Sequence, residues 1–209
     1  TSLLEPLGIR PRTPADLKMI MPVSDEARER TLSWRAQRGL SEGGYVAITP
    51  GTTRPQKMWP DEYWPELLER LSHRLGLPAV ILGGPSEREL AAEIVAGTRT
   101  PVYNAVGETN LQETGALLAT AAVTVGVDTG PMHMAVAVGC PTISLFGSTG
   151  PRWFLDGSKY LCLHRHFPCW PCHRHPVCRH YECLRAIRPA EVEREVVRLL
   201  TEGGLPEGG

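Results

Sequence analysis

The feature that most constrains the fold is a regular alternation of short apolar runs and helical stretches between residues 45 and 146. The runs YVAIT, PAVIL, VYN, VTVGV and TISLF each predict a strand. The segments between most of them have the ~10–15-residue length of helices that connect parallel strands. Strands that are apolar along their whole length are typical of a sheet covered on both faces. The sequence therefore predicts an α/β fold built on a doubly wound parallel sheet.

The rest of the chain divides around this pattern. Residues 1–40 are predicted to be a linker and a helix, with Ser24 as the N-cap of that helix. Residues 41–150 contain the alternating pattern and form the predicted Rossmann-like domain. Residues 151–188 interrupt the pattern with a loop rich in Cys and His, and residues 189–209 are predicted to be a C-terminal helix and tail.

The composition argues against several classes of protein. The formal net charge is −1, so the chain lacks the general basic surface of a nucleic-acid-binding protein. No apolar run approaches the ~20 residues that span a bilayer. The first residues also lack the layout of a signal peptide. We therefore expect a cytoplasmic protein that does not bind nucleic acid.

The loop after the first predicted strand carries groups that suit a diphosphate. Gly51 lets the backbone turn closely, Thr52 and Thr53 supply hydroxyl groups, and Arg54 and Lys57 supply positive charge. Ligands of doubly wound sheets bind beyond the carboxyl ends of the strands, where this loop lies. The alternative is an ordinary surface turn with a solvated lysine.

The loop after the fourth predicted strand has a second anion-binding pattern. It reads Asp128-Thr129-Gly130-Pro131-Met132-His133 and opens a helix, so free N–H groups and the positive helix end face the same crevice. His133 lies one turn into that helix. The alternative makes Asp128 an N-cap and His133 a residue of the helix surface.

A third loop offers Glu87, whose carboxylate could accept hydrogen bonds from ribose hydroxyls or simply favour a helix N-terminus.

No G-x-G-x-x-G follows the first strand, which argues against a dinucleotide-dependent dehydrogenase. No G-x-S-x-G is present, which argues against an α/β-hydrolase.

Four cysteines cluster near the C-terminus, at Cys169, Cys172, Cys178 and Cys183. Local clustering of this kind favours a metal site or free thiols over a secreted disulfide scaffold. A structural metal is one interpretation: zinc, because a C-x-x-C pair with two further thiolates can close a tetrahedral site, or else an iron–sulfur cluster. Reduced thiols without metal, or disulfides formed during handling, are the other.

Together the loops resemble glycosyltransferase family 9, the ADP-heptose:lipopolysaccharide heptosyltransferases. The similar segments are residues 50–67, 81–94, 106–121 and 125–151. The resemblance implies a GT-B fold of two Rossmann-like domains with the active site between them. This chain resembles only the C-terminal, donor-binding half. The acceptor site and the catalytic base, an Asp, would lie on an N-terminal domain that has no counterpart here.

The resemblance also implies roles for individual residues. Lys57 would be catalytic, because it would stabilise charge on the leaving diphosphate. Glu87, or Ser86 beside it, would meet the ribose, and the backbone near Thr109 would meet the adenine. The diphosphate would be held by Thr52, Thr53, Lys57, Asp128, Thr129, Gly130 and His133.

The implied reaction is an inverting heptosyl transfer from ADP-L-glycero-D-manno-heptose to the lipid A–Kdo acceptor of the lipopolysaccharide inner core. This reaction requires no cofactor. A lipid-linked acceptor is compatible with peripheral contact between the protein and the inner face of the inner membrane. The isolated half would be inactive. Two alternatives remain: a family 9 relative that uses another nucleotide sugar, and a non-catalytic nucleotide-binding module with a metal-stapled interaction loop.

Overall fold

The computed structural model describes residues 19–150, 159–173, 178 and 180–202. Most of the predicted N-terminal linker, parts of the Cys/His-rich loop and the end of the predicted C-terminal tail lie outside these residues.

A six-stranded, all-parallel sheet forms the centre of the molecule, with the strand order β3-β2-β1-β4-β5-β6. The chain reverses its direction of winding between β1 and β4, which is the arrangement of a doubly wound sheet. The predicted fold class is therefore confirmed. The strands are β1 (Val46–Thr49), β2 (Ala79–Ile81), β3 (Val102–Asn104), β4 (Val123–Val127), β5 (Thr142–Phe146) and β6 (Tyr160–His164).

Helices cover both faces of the sheet. Helices α2, α3 and α7 pack on one face, and α1, α4 and α5 pack on the other. Within the described residues, no helix is both long and apolar enough to cross a membrane. The helices are α1 (Asp25–Ala36), α2 (Tyr63–Leu75), α3 (Arg88–Gly97), α4 (Leu111–Ala119), α5 (Gly130–Ala137), α6 (Glu182–Arg185) and α7 (Pro189–Glu202).

Alternation of side chains along β1 shows why the strands are apolar throughout. Val46 and Ile48 pack with Leu67 of α2, whereas Ala47 packs with Leu117 of α4 on the opposite face. All five are buried, because both faces of the sheet are covered. At the start of α1, Ser24 acts as the predicted N-cap and accepts a hydrogen bond from the backbone N–H of Ala27.

The segment 151–188, expected to be an irregular loop, contributes the sixth strand. Strand β6 pairs with β5 along its whole length, and Leu163 is buried in the core. The short run YLCLH contains Cys162 and His164, so its apolar character is weaker than that of the central strands. That is expected of a strand at the edge of a sheet, and it explains why the pattern did not predict this strand.

The carboxyl ends of β1 and β4 meet closely at the position where the winding reverses. Thr49 lies beside Gly126, and Ser144 of β5 lies on the other side of Gly126. A Cβ atom at Gly126 would overlap the hydroxyl oxygen of Thr49, so only glycine fits without a shift. This close approach brings together the two loops that follow β1 and β4.

Candidate anion-binding site

A cleft of about 340 Å³ opens at the carboxyl ends of β1 and β4, where the doubly wound fold places its ligands. We call it the anion cleft. It brings together three loops that are far apart in the sequence. Its lining residues are Thr52, Thr53, Arg54, Lys57, Glu87, Asp128, Thr129, Gly130 and His133.

Asp128 is the centre of the polar contacts in the anion cleft. Its Oδ2 atom lies 2.5 Å from Nζ of Lys57 and accepts a hydrogen bond of 2.6 Å from the hydroxyl of Thr149. Its Oδ1 atom lies 3.5 Å from Nε2 of His133. Three loops, those after β1, β4 and β5, are thus joined through one carboxylate.

Two opposing effects act on the pKa of Asp128. Burial favours the neutral acid and would raise the pKa, but hydrogen bonds from His133, Lys57 and Thr149 and the charge of Lys57 favour the carboxylate. The second group of effects prevails, and the pKa of Asp128 lies well below its usual range. Asp128 is therefore ionised at any pH at which the protein would work.

Lys57 is held in position by its neighbours in the chain. It ends a short 3-10 turn, Pro55–Lys57, that follows β1. Trp59 is fully buried and its Nε1–H donates to the carbonyl of Ile187 at 2.9 Å. Gln56 is also buried, and its amide donates to the carbonyl of His173 at 3.2 Å. These anchors on both sides leave the lysine side chain directed at Asp128.

The N-terminus of α5 supplies the second wall of the anion cleft. Thr129 is the N-cap residue and its side chain makes no capping hydrogen bond. Pro131 occupies the first helical turn, where a missing N–H costs nothing. First-turn N–H groups have no acceptor within a helix, so they are free to bind an anion. A Cβ atom at Gly130 would meet no described atom within 4 Å, which leaves that approach open.

Glu87 reaches the floor of the anion cleft from the loop after β2. Its Oε2 atom accepts a hydrogen bond of 3.0 Å from the N–H of Gly84. A Cβ atom at Gly51 or at Gly83 would overlap its carboxyl group, so these glycines make room for it. Burial raises the pKa of Glu87, and the hydrogen bond from Gly84 opposes that rise. The carboxyl group thus also caps its own turn, as the alternative interpretation of this residue expects.

Thr109 is the one predicted donor-binding residue that does not line the anion cleft. Its hydroxyl pairs with that of Thr114 at 2.9 Å, at the start of α4. Contact between the backbone near Thr109 and an adenine stays a prediction.

Two residues of this site are absent from the donor-binding residues that the resemblance implied, although the charge of Arg54 was part of the predicted diphosphate loop. Thr149 bonds directly to Asp128, and Arg54 lines the anion cleft. Thr149 follows β5, so the rule that ligands bind at the carboxyl ends of strands could have indicated it. Arg54 carries the charge expected of a diphosphate loop and lies three residues before Lys57.

The four clustered cysteines line a separate cavity and are free thiols. In the part of the chain that the structure describes, no three His, Cys, Asp or Glu side chains form a group that could hold a metal ion. Zinc at this cluster stays a prediction.

A doubly wound sheet with cations and a helix N-terminus at its switch point is typical of domains that bind a phosphorylated ligand beyond their strand ends. The family model of glycosyltransferase family 9 (heptosyltransferase) matches residues 13–180. The chain belongs to glycosyltransferase family 9.

Individual relatives agree with this assignment. Lipopolysaccharide heptosyltransferase 1 of Pseudomonas aeruginosa is 37% identical over 129 residues, which are 61% of this chain and 36% of that protein. The structure of E. coli ADP-heptose lipopolysaccharide heptosyltransferase II is similar with a TM-score of 0.72 and 26% identity, covering 88% of this chain and 54% of that one. E. coli heptosyltransferase WaaC with ADP is similar with a TM-score of 0.61 and 25% identity, covering 86% and 51%. The chain therefore spans only part of the length of each relative.

Proposed function

We propose that this chain is the donor-binding half of a heptosyltransferase, and that the anion cleft holds the diphosphate of ADP-L-glycero-D-manno-heptose. One observation carries the proposal: Lys57, His133 and the free N-terminus of α5 converge on the same cleft at the switch point of the sheet. The similarity to a heptosyltransferase solved with ADP supports the choice of nucleotide.

The groups of the cleft match the charge that develops during transfer. As the bond between the sugar and the diphosphate breaks, negative charge grows on the β-phosphate oxygen. Lys57 and the first-turn N–H groups of α5 would stabilise that charge as preorganised donors, each worth ~3 kcal/mol. Thr52 and Thr53 would donate their hydroxyls to the remaining phosphate oxygens.

In this proposal Asp128 has a different task from the one that the family resemblance implies. A carboxylate repels a diphosphate, so direct contact between Asp128 and the donor would be unfavourable. Its bonds to Lys57, His133 and Thr149 instead fix the groups that would meet the phosphates. Asp128 is therefore a positioning residue in this proposal.

The acceptor and the base would belong to the rest of the enzyme. We propose that an acceptor hydroxyl of the lipopolysaccharide inner core, lipid A–Kdo, attacks the anomeric carbon and that ADP leaves from the opposite face. The attacking hydroxyl would be deprotonated by an Asp outside this chain. The 209 residues alone would bind the donor without transferring its sugar. Such an acceptor suits a cytoplasmic protein in peripheral contact with the inner membrane.

The transfer itself uses no metal in this proposal. Zinc at Cys169, Cys172, Cys178 and Cys183 would be structural, because the sugar transfer calls for positioned donors and a base rather than for a Lewis acid.

Titration calorimetry with ADP, GDP and UDP tests the proposal on the chain as it is. ADP should bind more tightly than GDP or UDP, and unlabelled ADP-heptose should compete with it. Preference for GDP or UDP would indicate a family 9 relative that uses another nucleotide sugar. Absence of binding by all three nucleotides would overturn the donor assignment and leave an interaction module.

A further inference from the structure

The charged side chains that line the anion cleft balance one another before any ligand enters. Arg54 and Lys57 carry positive charge, and Glu87 and Asp128 carry negative charge. Asp128 is ionised at neutral pH, as its lowered pKa requires. With a neutral His133, the lining side chains therefore carry no net charge, whereas the diphosphate of a nucleotide sugar carries two negative charges.

His133 is the lining residue whose charge can change near neutral pH. An unperturbed imidazole changes its charge between about pH 5 and 8, whereas unperturbed carboxylates, lysine and arginine do so outside that range. The side chain of His133 is 34% exposed, so water and a ligand can reach it. A proton on this ring would give the cleft the positive charge that it lacks.

The contact with Asp128 determines which nitrogen of His133 is left for a ligand. Nε2 lies 3.5 Å from Oδ1 of Asp128. An ionised carboxylate can only accept hydrogen bonds, so Nε2 must carry a proton in this contact. In a neutral imidazole Nδ1 is then a bare acceptor, which cannot bond to a phosphate oxygen, because that oxygen is an acceptor as well. Only the imidazolium ion offers one N–H to Asp128 and a second N–H to a phosphate.

A bound diphosphate would place His133 between two anions. Asp128 lies on one side, and phosphates at the N-terminus of α5 would lie on the other. An opposite charge within ~4–6 Å favours the charged form of a titratable group. Lys57 opposes this effect, but its charge is already shared with Asp128 at 2.5 Å. A diphosphate therefore favours the addition of a proton to His133.

Other elements packed on α5 bring little charge to this position. Strands β4 and β5 and residues 19–24 contain no titratable side chain. Burial raises the pKa of Cys140 to about 12, raises that of Tyr160 and lowers that of His164, so these groups are uncharged at neutral pH. Glu113 of α4 is charged, and it is paired with an arginine of α1 at 3.1 Å. The titratable residues of α4, of the turn after α5 and of β6 are Glu113, Cys140, Tyr160, Cys162 and His164.

We propose that the anion cleft takes up a proton together with its ligand, and that His133 holds this proton and meets the phosphate as the imidazolium ion. The choice of ADP-heptose as ligand rests on the proposed donor function, whereas the uptake requires only a phosphate anion in the cleft. Because linkage is reciprocal, the ligand must bind more tightly at low pH. During transfer, the same ion would offset part of the negative charge that grows on the departing ADP.

Titration calorimetry with ADP-heptose, in buffers of different ionisation enthalpy, counts the protons. The ligand suits this measurement, because a diphosphate esterified at both ends does not itself titrate near neutral pH. The wild-type chain should take up about half a proton or more at about pH 7. Its affinity for ADP-heptose should fall about tenfold or more between about pH 6 and 8.5.

The variant His133→Gln keeps a polar side chain but holds no proton in this pH range. It should bind ADP-heptose without proton uptake. His73→Gln, which changes an exposed histidine near the end of α2, is the matched control and should keep the uptake of the wild type. Undiminished uptake in His133→Gln, or none in the wild type, would overturn the proposal. Loss of uptake in Glu87→Gln alone would assign the proton to Glu87 and overturn it as well.

NMR of the imidazole resonances reads His133 directly and does not depend on ADP-heptose. The midpoint of the His133 titration should move to higher pH when inorganic pyrophosphate is added to the wild-type chain, while that of His73 should not change. No change at His133 with either pyrophosphate or ADP-heptose would overturn the proposal. A change with pyrophosphate, together with no binding of ADP-heptose, would support the proton uptake and remove only the donor function.

Discussion

Nζ of Lys57 lies 2.5 Å from Oδ2 of Asp128, and this ion pair connects the loops that follow β1 and β4 across the switch point of the sheet. Both side chains are largely buried, with 19% and 13% of their surfaces exposed. Solvent therefore screens the pair less than it screens an ion pair on the open surface. The pair therefore holds the charged group of Lys57 in the anion cleft, where ligands of this fold bind.

The variant Asp128→Asn should destabilise the protein at neutral pH. We expect a loss of about 1–3 kcal/mol in the free energy of unfolding, because bonds to a charged acceptor are lost. The pKa of Asp128 is lowered by folding, so its contribution is complete above the unfolded-state value, about pH 4, and declines as the pH falls towards the folded-state value. Urea unfolding should show the wild type and the variant converging below about pH 4.

The matched control for this prediction is Asp25→Asn, which changes an exposed carboxylate in the first turn of α1. This variant should keep the acid dependence of the wild type. A difference between wild type and Asp128→Asn that stays constant throughout the acid range would contradict the assigned pKa direction.

Replacing Gly126 tests the close approach beneath the two loops. Gly126→Ala should lower the free energy of unfolding by about 1–3 kcal/mol, because the new methyl group overlaps the hydroxyl of Thr49. The hydroxyl of Thr49 has no partner among the described residues, so Thr49→Ala removes the clash without breaking a hydrogen bond. Denaturant unfolding should find the double variant Gly126→Ala/Thr49→Ala more stable than Gly126→Ala alone. Equal stability of these two variants would show that the clash is not the cause.

Glu87 should distinguish ADP from its 2′- and 3′-deoxy analogues. A ribose hydroxyl that donates to the Glu87 carboxylate should make ADP bind about tenfold more tightly than at least one deoxy analogue. Glu87→Gln should reduce that ratio in titration calorimetry. Ser86→Ala is the comparison, because Ser86 is the other candidate for the ribose contact. Loss of discrimination in Ser86→Ala alone would transfer the role to Ser86.

The fold could be predicted from the sequence because continuous apolar strands and helical stretches are local patterns. The convergence of the loops that carry Lys57, Glu87 and His133 could also be predicted, since the carboxyl ends of parallel strands meet at one edge of the sheet. The pairing of individual side chains could not be predicted. The pairing of Lys57 with Asp128, for example, depends on rotamers and on contacts between residues 71 positions apart in the chain. The position of Thr149 after β5 could have been indicated by the same rule, but its bond to Asp128 could not, because that bond also depends on rotamers.

The most direct measurement is ADP binding by wild type, Lys57→Met and Lys159→Met in titration calorimetry. Lys159 is exposed at the amino end of β6, away from the anion cleft, and is the matched control. We expect Lys57→Met to weaken ADP binding about 10–100-fold, because a bond between charged groups is lost, and Lys159→Met to bind ADP like the wild type. Equal weakening in both variants, or none in Lys57→Met, would contradict the account.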